Sequence, residues 1–181
     1  HLEYAVQKGI VDEVSTDPAQ AVAGADLVVV CTPVGMIPGM IETIAPHLKE
    51  GAMVTDVGST KEKIVSRAEE VLPAGVHFIG GHPMAGSEES GVEAASETLF
   101  ENAICVLTSS VKTDLAALNR LEQFWKALKA KVMTASPREH DLLVAASSHL
   151  AHMVAVALTR CVEDVSKRNK KVIPLLAGGF R

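Results

Sequence analysis

Three short stretches of this 181-residue chain bring together side chains that move protons or hold anions near neutral pH. In the first, His82 follows Gly80 and Gly81, precedes Pro83, and is followed by Gly86, Ser87 and Glu88. It reads as a loop histidine on a bent, braced backbone, and its imidazole suits general-base work on a hydroxyl. In the second, His149 and His152 are three apart and share one face of a helix. No third ligand accompanies them, so no metal is expected; a bound anion or a satisfied core would serve them equally well. The third ends in Arg181, behind Gly178 and Gly179, where a tight turn would aim a guanidinium at a carboxylate. A fourth candidate, Ser59, stands three residues before Glu62 in a capping-box pattern. A capping hydroxyl at a strand's carboxyl end also faces any ligand in the crevice beyond it.

Those residues need a frame, and the apolar pattern supplies one. Ala25 to Cys31 is a β-branched run stopped by Thr32 and Pro33, as expected of a strand buried on both faces. Further strands are predicted at 52–57, 76–80, 103–107 and 131–134. Between them, helices are predicted at 38–48 and from the Ser59 capping box through Ile64, Val65, Ala68 and Val71, with a third along the stripe Leu115, Leu118, Leu121, Trp125, Leu128. Alternation of this kind implies parallel pairing through right-handed crossovers, hence a doubly wound α/β sheet. Ligands then bind beyond the strands' carboxyl ends, where Thr32, Pro33, Val34, Ser59 and His82 fall. A second capping box, Ser136-Pro137-Arg138-Glu139, opens a helix of about thirty residues with no breaker before Asn169. The predicted boundary separates an α/β domain over 1–135 from a helical, well-buried domain over 136–181.

Composition removes several classes of function. The formal charge is −5 and aromatics are 3% of residues, which argues against a basic nucleic-acid footprint or a base-stacking platform. Cys31, Cys105 and Cys161 are odd in number and far apart, and read as buried free thiols in a reducing compartment. Ser147, Ser148, His149 and His152 interrupt the apolar run 142–158, which reads as a core helix and not a membrane span. The opening His1-Leu2-Glu3-Tyr4 has neither an initiator Met nor an export signal. It is read as lying within a longer, cytoplasmic protein.

Taken in order, His82-Pro83-Met84-Ala85-Gly86-Ser87-Glu88, Ser147-Ser148-His149-Leu150-Ala151-His152 and Ala177-Gly178-Gly179-Phe180-Arg181 resemble the prephenate/arogenate dehydrogenase family of tyrosine biosynthesis. Leu27 to Val34 and Asp56-Val57-Gly58-Ser59 fit the same family. The resemblance implies a Rossmann-like nucleotide-binding domain, incomplete at its N-terminus, followed by an all-helical domain that dimerises. It also implies NAD- or NADP-dependent oxidative decarboxylation of prephenate or arogenate, with no nucleic-acid or membrane partner. On this resemblance His82 is the catalytic histidine, and Ser59 contacts both it and the nicotinamide end. Thr32, Pro33, Val34 and Ser87 lie at the cofactor. His152 and Arg181 hold substrate carboxylates, while His140, His149 and Glu88 stand nearby on the substrate side.

The family's G-x-G-x-x-G phosphate turn and the acidic residue that reads the ribose do not occur in the 181 residues. Weak dinucleotide binding and poor turnover by this stretch alone are therefore expected. Ala151 stands where the family often has proline. Two other readings compete: a reductase of similar build acting on a β-hydroxy acid or an imine, which would not need His82, His152 and Arg181 together, and a non-catalytic remnant.

Overall fold

The computed structural model describes residues 2–86 and 91–177. The chain divides into two compact units, His1–Asp141 and Leu142–Arg181. The first contains a five-stranded sheet in the order β1 (Leu27–Val30), β2 (Met53–Asp56), β3 (His77–Pro83), β4 (Ile104–Thr108), β5 (Lys131–Ala135). Its helices are α1 (Leu2–Gln7), α2 (Pro18–Val22), α3 (Ile37–Ile44), α4 (Glu62–Val71) and α5 (Leu115–Ala127), with α6 (Pro137–Val144) beginning after β5.

Alternation along the strands builds a core on each face of the sheet. Val30 and Val54 meet Ile37, Ile41 and Ile44 of α3 and Ile64 and Ala68 of α4. On the other face Met53, Ile79, Cys105 and Leu107 meet Ala117, Leu121 and Trp125 of α5. Helices thus cover both faces, as the doubly wound pattern requires. The buried stripe of α5 is Ala117, Leu121 and Trp125, whereas Leu115 of the predicted stripe is exposed.

The sheet departs from wholly parallel pairing at one place. β1–β2, β2–β3 and β4–β5 are parallel, but β3–β4 is antiparallel. Among the described residues between β3 and β4 there is only a single 3-10 turn, Val92–Ala94. A strand returning without a crossover helix must run backwards. Pairing with β4 also lengthens β3, placing His82 and Pro83 within the strand and opposite Val106 and Cys105.

In the second unit a π-turn over Ala145–His149 joins the end of α6 to α7 (Leu150–Arg168), and a 3-10 segment, Lys170–Leu175, follows. The expectation of a well-buried helix fails here. None of the 19 residues of α7 is buried, and Leu150, Met153, Val154 and Leu158 are exposed. Among the described residues α7 packs chiefly on the short segments at its two ends, and none of its apolar residues enters a core within the second unit. By length and composition alone, Pro137–Arg168 would suffice to cross a membrane. Cys31 and Cys161 are also exposed, against expectation, while Cys105 is buried. Cys31 lies just past the end of β1, at one edge of the sheet formed by the described residues.

Candidate active site

β2 and β3 run parallel, so their carboxyl ends lie side by side. Asp56 ends β2 with its side chain fully buried, and Lys61, five residues on, is fully buried beside it. A buried charge demands a partner, and here each is the other's: Lys61 Nζ donates to Asp56 Oδ2. The ammonium donates a second bond to the Gly81 carbonyl at 2.8 Å. Asp56 also accepts from the N–H groups of Gly58 (2.9 Å) and Gly81 (3.2 Å). Burial pushes Asp56 above the usual carboxylate range and Lys61 below the usual ammonium range, each opposed by the attraction between them. The pair clamps the peptide that immediately precedes His82.

That clamp explains the two glycines before His82. They are extended residues of β3, not a bend. A Cβ on Gly81 would stand 2.7 Å from the Asp56 carbonyl, and one on Gly80 would stand 2.5 Å from Thr108 Oγ1 and 3.2 Å from Lys61 Cδ. Only glycine lets the strand approach this closely.

His82 is therefore a strand residue, 8% exposed, and not the open loop histidine expected. Its Nδ1 is hydrogen-bonded to His140 Nε2 at 2.9 Å. His140, fully buried at its side chain, uses its Nδ1 on Asp141 Oδ1 at 2.8 Å. Both ring nitrogens of His140 are thus engaged within the protein.

Asp141 carries a second duty. Its Oδ1 accepts from the N–H of Lys61 at 2.7 Å and its Oδ2 from that of Glu62 at 3.0 Å. These are unsatisfied donors at the start of α4, so a carboxylate eighty residues away caps that helix. Burial alone would raise Asp141, but these N–H groups together with His140 hold it below the ordinary carboxylate value. Ser59 is accordingly not the cap. The helix starts at Glu62, with Lys61 at the N-cap and no cap bond from its own side chain, and Ser59 sits half-buried on the turn between β2 and α4. The second predicted capping box does form: Glu139 N–H donates to Ser136 Oγ and Ser136 N–H to Glu139 Oε2.

Thr32 follows the carboxyl end of β1, and its hydroxyl is buried with no partner among the described residues. Pro33 caps a 3-10 turn over Val34–Met36. A groove of about 400 Å³ runs from here along β1, between α2 and α3, lined largely by apolar residues. In the second unit His149 closes the π-turn, whose last bond runs from Leu150 N–H to the Ala145 carbonyl, and His152 is exposed on α7. Ser87, Glu88 and Arg181 lie outside the described residues. No cluster of three potential metal ligands occurs among the described residues.

The first unit thus joins His82, His140 and Asp141 in one chain of hydrogen bonds. Sequence patterns give no chemical role to Lys61 or Asp141, and Asp56 enters only as the first residue of the Asp56-Val57-Gly58-Ser59 stretch. The one available signal was Asp56, a charge closing an apolar strand.

Two families of domains match the chain: the prephenate dehydrogenase nucleotide-binding domain over residues 1–134 and the prephenate dehydrogenase dimerization domain over residues 136–181. The chain is 40% identical over 178 residues to the prephenate dehydrogenase of Bacillus subtilis, covering 98% of this chain and 48% of that protein. Among solved structures it is similar to prephenate dehydrogenase from A. aeolicus in complex with hydroxyphenyl propionate and NAD+. That match has a TM-score of 0.84 at 36% identity, over 90% of this chain and 57% of the other. Synechocystis arogenate dehydrogenase aligns with a TM-score of 0.83 at 36% identity, over 99% and 64%. The chain spans about half the length of the curated relatives it matches.

Proposed function

The chain belongs to the prephenate dehydrogenase family, and from that premise we propose that it serves the NAD(P)-dependent oxidative decarboxylation of prephenate or arogenate in tyrosine biosynthesis, with His82 as the catalytic base. The observation that carries this reading is the placement of His82. It stands at the carboxyl edge of a doubly wound sheet, hydrogen-bonded to a second histidine, beside the turn that bears Ser59.

The residues present suit one end of a dinucleotide. The orphaned Thr32 hydroxyl, Pro33 and Val34 follow β1, and Ser59 follows β2, where a nicotinamide would meet His82. No glycine-rich phosphate turn lies in the 181 residues. When bound, the oxidised nicotinamide supplies the hydride acceptor.

The chemistry left to the protein is proton handling and anion recognition. As hydride leaves C4 of the cyclohexadienyl ring, His82 takes the proton of the C4 hydroxyl, and that oxygen becomes a carbonyl. When the C1–carboxylate bond breaks to release carbon dioxide, its electron pair runs through the ring to the C4 oxygen. The oxygen takes the proton back and the ring is aromatic. His82 thus lends a site to one proton and returns it, with no net proton consumed. Ser59 orients the histidine and the hydroxyl, while His152, His149, Arg181 and Glu88 set the substrate's charged groups, as the family resemblance implies.

We assign the α/β domain to residues 1–135 and the helical domain to 136–181, and the exposed apolar residues of α7 to an interface with a second copy of the chain. We assign the protein to the cytoplasm, a reading that its three free cysteines support.

The test is an assay of prephenate, arogenate and simple 3-hydroxy acids with NAD and NADP, following the reduced cofactor and the aromatic product. Oxidation of a cyclohexadienyl substrate, lost in His82→Asn, is the expected result. Equal use of 3-hydroxy acids would overturn the reading.

A further inference from the structure

We propose that Lys61, together with Asp56, is a positioning residue that registers the backbone of His82 against the turn bearing Ser59. The ladder between β2 and β3 ends with Thr55 paired to Ile79. Parallel pairing advances two residues per rung, and His77 N–H is on the Ala52 carbonyl at 3.0 Å. Carried two rungs further, the same register would give the Gly81 carbonyl the N–H of Gly58. That N–H is turned instead onto Asp56 Oδ2 at 2.9 Å. Lys61 Nζ takes its place on the Gly81 carbonyl at 2.8 Å, and Asp56 Oδ1 receives the Gly81 N–H at 3.2 Å. Side chains thus continue the sheet where the β2 backbone leaves it.

This exchange lets the two elements part company. β2 departs into the turn that carries Ser59, while β3 runs on through His82 to Pro83. The donor must meet the Asp56 carboxylate and the Gly81 carbonyl together, which a hydroxyl with one hydrogen could not do and an ammonium with three can. Lys61 is fixed at its other end as well, where its backbone N–H donates to Asp141 Oδ1 at 2.7 Å. The surrounding backbone is fitted to the pair. A Cβ on Gly58 would stand 2.9 Å from Asp56 Oδ2, and one on Gly80 would stand 3.2 Å from Lys61 Cδ. What the pair sets is the place of the His82 backbone relative to Ser59; the ring keeps its own contacts.

The catalytic consequence rests on the function proposed above; the registration of the two elements does not, and the experiment separates them. Lys61→Met withdraws the donor and leaves the Asp56 charge buried without a counter-ion. Asp56→Asn combined with Lys61→Met removes both charges, and pairs replaced together are often tolerated. The double variant should therefore recover much of the stability lost in the single one, while the Gly81 carbonyl still has no ammonium. Amide hydrogen exchange on 15N-labelled protein comes first, because it needs no turnover. Measured against Ile79 inside the ladder, the N–H groups of Gly58 and Gly81 should exchange roughly tenfold or more faster in the double variant than in the parent. Unchanged relative exchange at both would overturn the registration, whatever the activity.

Kinetics at saturating NAD or NADP, at a temperature where parent and double variant are both folded, then separate positioning from mere support. A displacement of about 1 Å can cost about a hundredfold, so kcat should fall roughly 10- to 100-fold with KM nearly unchanged. A folded double variant with the parent's kcat, or a loss confined to KM, would overturn the positioning role. Should the exchange pattern appear while the parent oxidises neither prephenate nor arogenate, the registration stands and the proposed reaction falls.

Discussion

At the scale of single residues, the chemistry depends on burying groups that water would otherwise hold. His82→Asn keeps the shape of the strand but removes the base, so kcat should fall by about a hundredfold or more with KM little changed, as steady-state kinetics would show. Arg181→Ala, at the proposed carboxylate partner, should chiefly raise KM. Lys61→Met leaves Asp56 buried without its counter-charge. Breaking such a pair from one side costs about 3–5 kcal/mol, read as a lower urea midpoint at unchanged slope. Cys105 gives a chemical check on the core: burial pushes its thiol up to about 12. Under native conditions at pH 8 a thiol reagent should modify exposed Cys31 and spare Cys105 until the protein unfolds.

At the scale of elements, the instructive contrast is between two capping boxes. Ser136 and Glu139 bond reciprocally as their spacing predicts. Ser59 and Glu62 have the same spacing, yet α4 begins at Glu62 and its cap comes from Asp141. Local pattern therefore revealed that a helix starts there but could not reveal a cap supplied from eighty residues away. The same limit ran through the sheet. Five strands and both faces of helices were legible from apolar runs, whereas the reversal of β4 was not, because it follows from the absence of a crossover helix and not from any residue in the strand. At the site, His82 and Ser59 stood out by type and place, but the hydrogen bonds from His82 through His140 to Asp141 and the clamp by Lys61 exist only in three dimensions. Asp141→Ala should cost about 0.5–2 kcal/mol, the range for a lost cap. Since the folded protein holds Asp141 below its unfolded value of about 4, its stabilisation is complete above that pH and disappears as pH falls through the lower, folded value. Thermal scans from pH 6 to pH 2 should show a shallower acid loss in the variant than in the parent.

At the scale of the whole molecule, the exposed apolar surface of α7 and the lack of a G-x-G-x-x-G turn within these 181 residues both make predictions. Leu150 and Met153, 62% and 65% exposed on α7, belong at the proposed interface between copies. Leu150→Glu with Met153→Glu should shift sedimentation equilibrium from dimer to monomer, and a parent that is monomeric at all concentrations would refute the assignment. Calorimetric titration of the 181-residue chain with NAD and NADP should give dissociation constants well above micromolar, since no G-x-G-x-x-G turn contributes backbone donors.

The bond from Asp141 to the start of α4 has a kinetic corollary. It joins residues eighty apart in sequence, and closures of such long loops come late because their entropy must be met before any contact rewards it. A chain that has collapsed around its sheet but not yet delivered its last turn would have His82 in place without its hydrogen bond to His140. The contact between the two histidines would then be completed in the final stage of folding, and be lost first when residues 137–141 open.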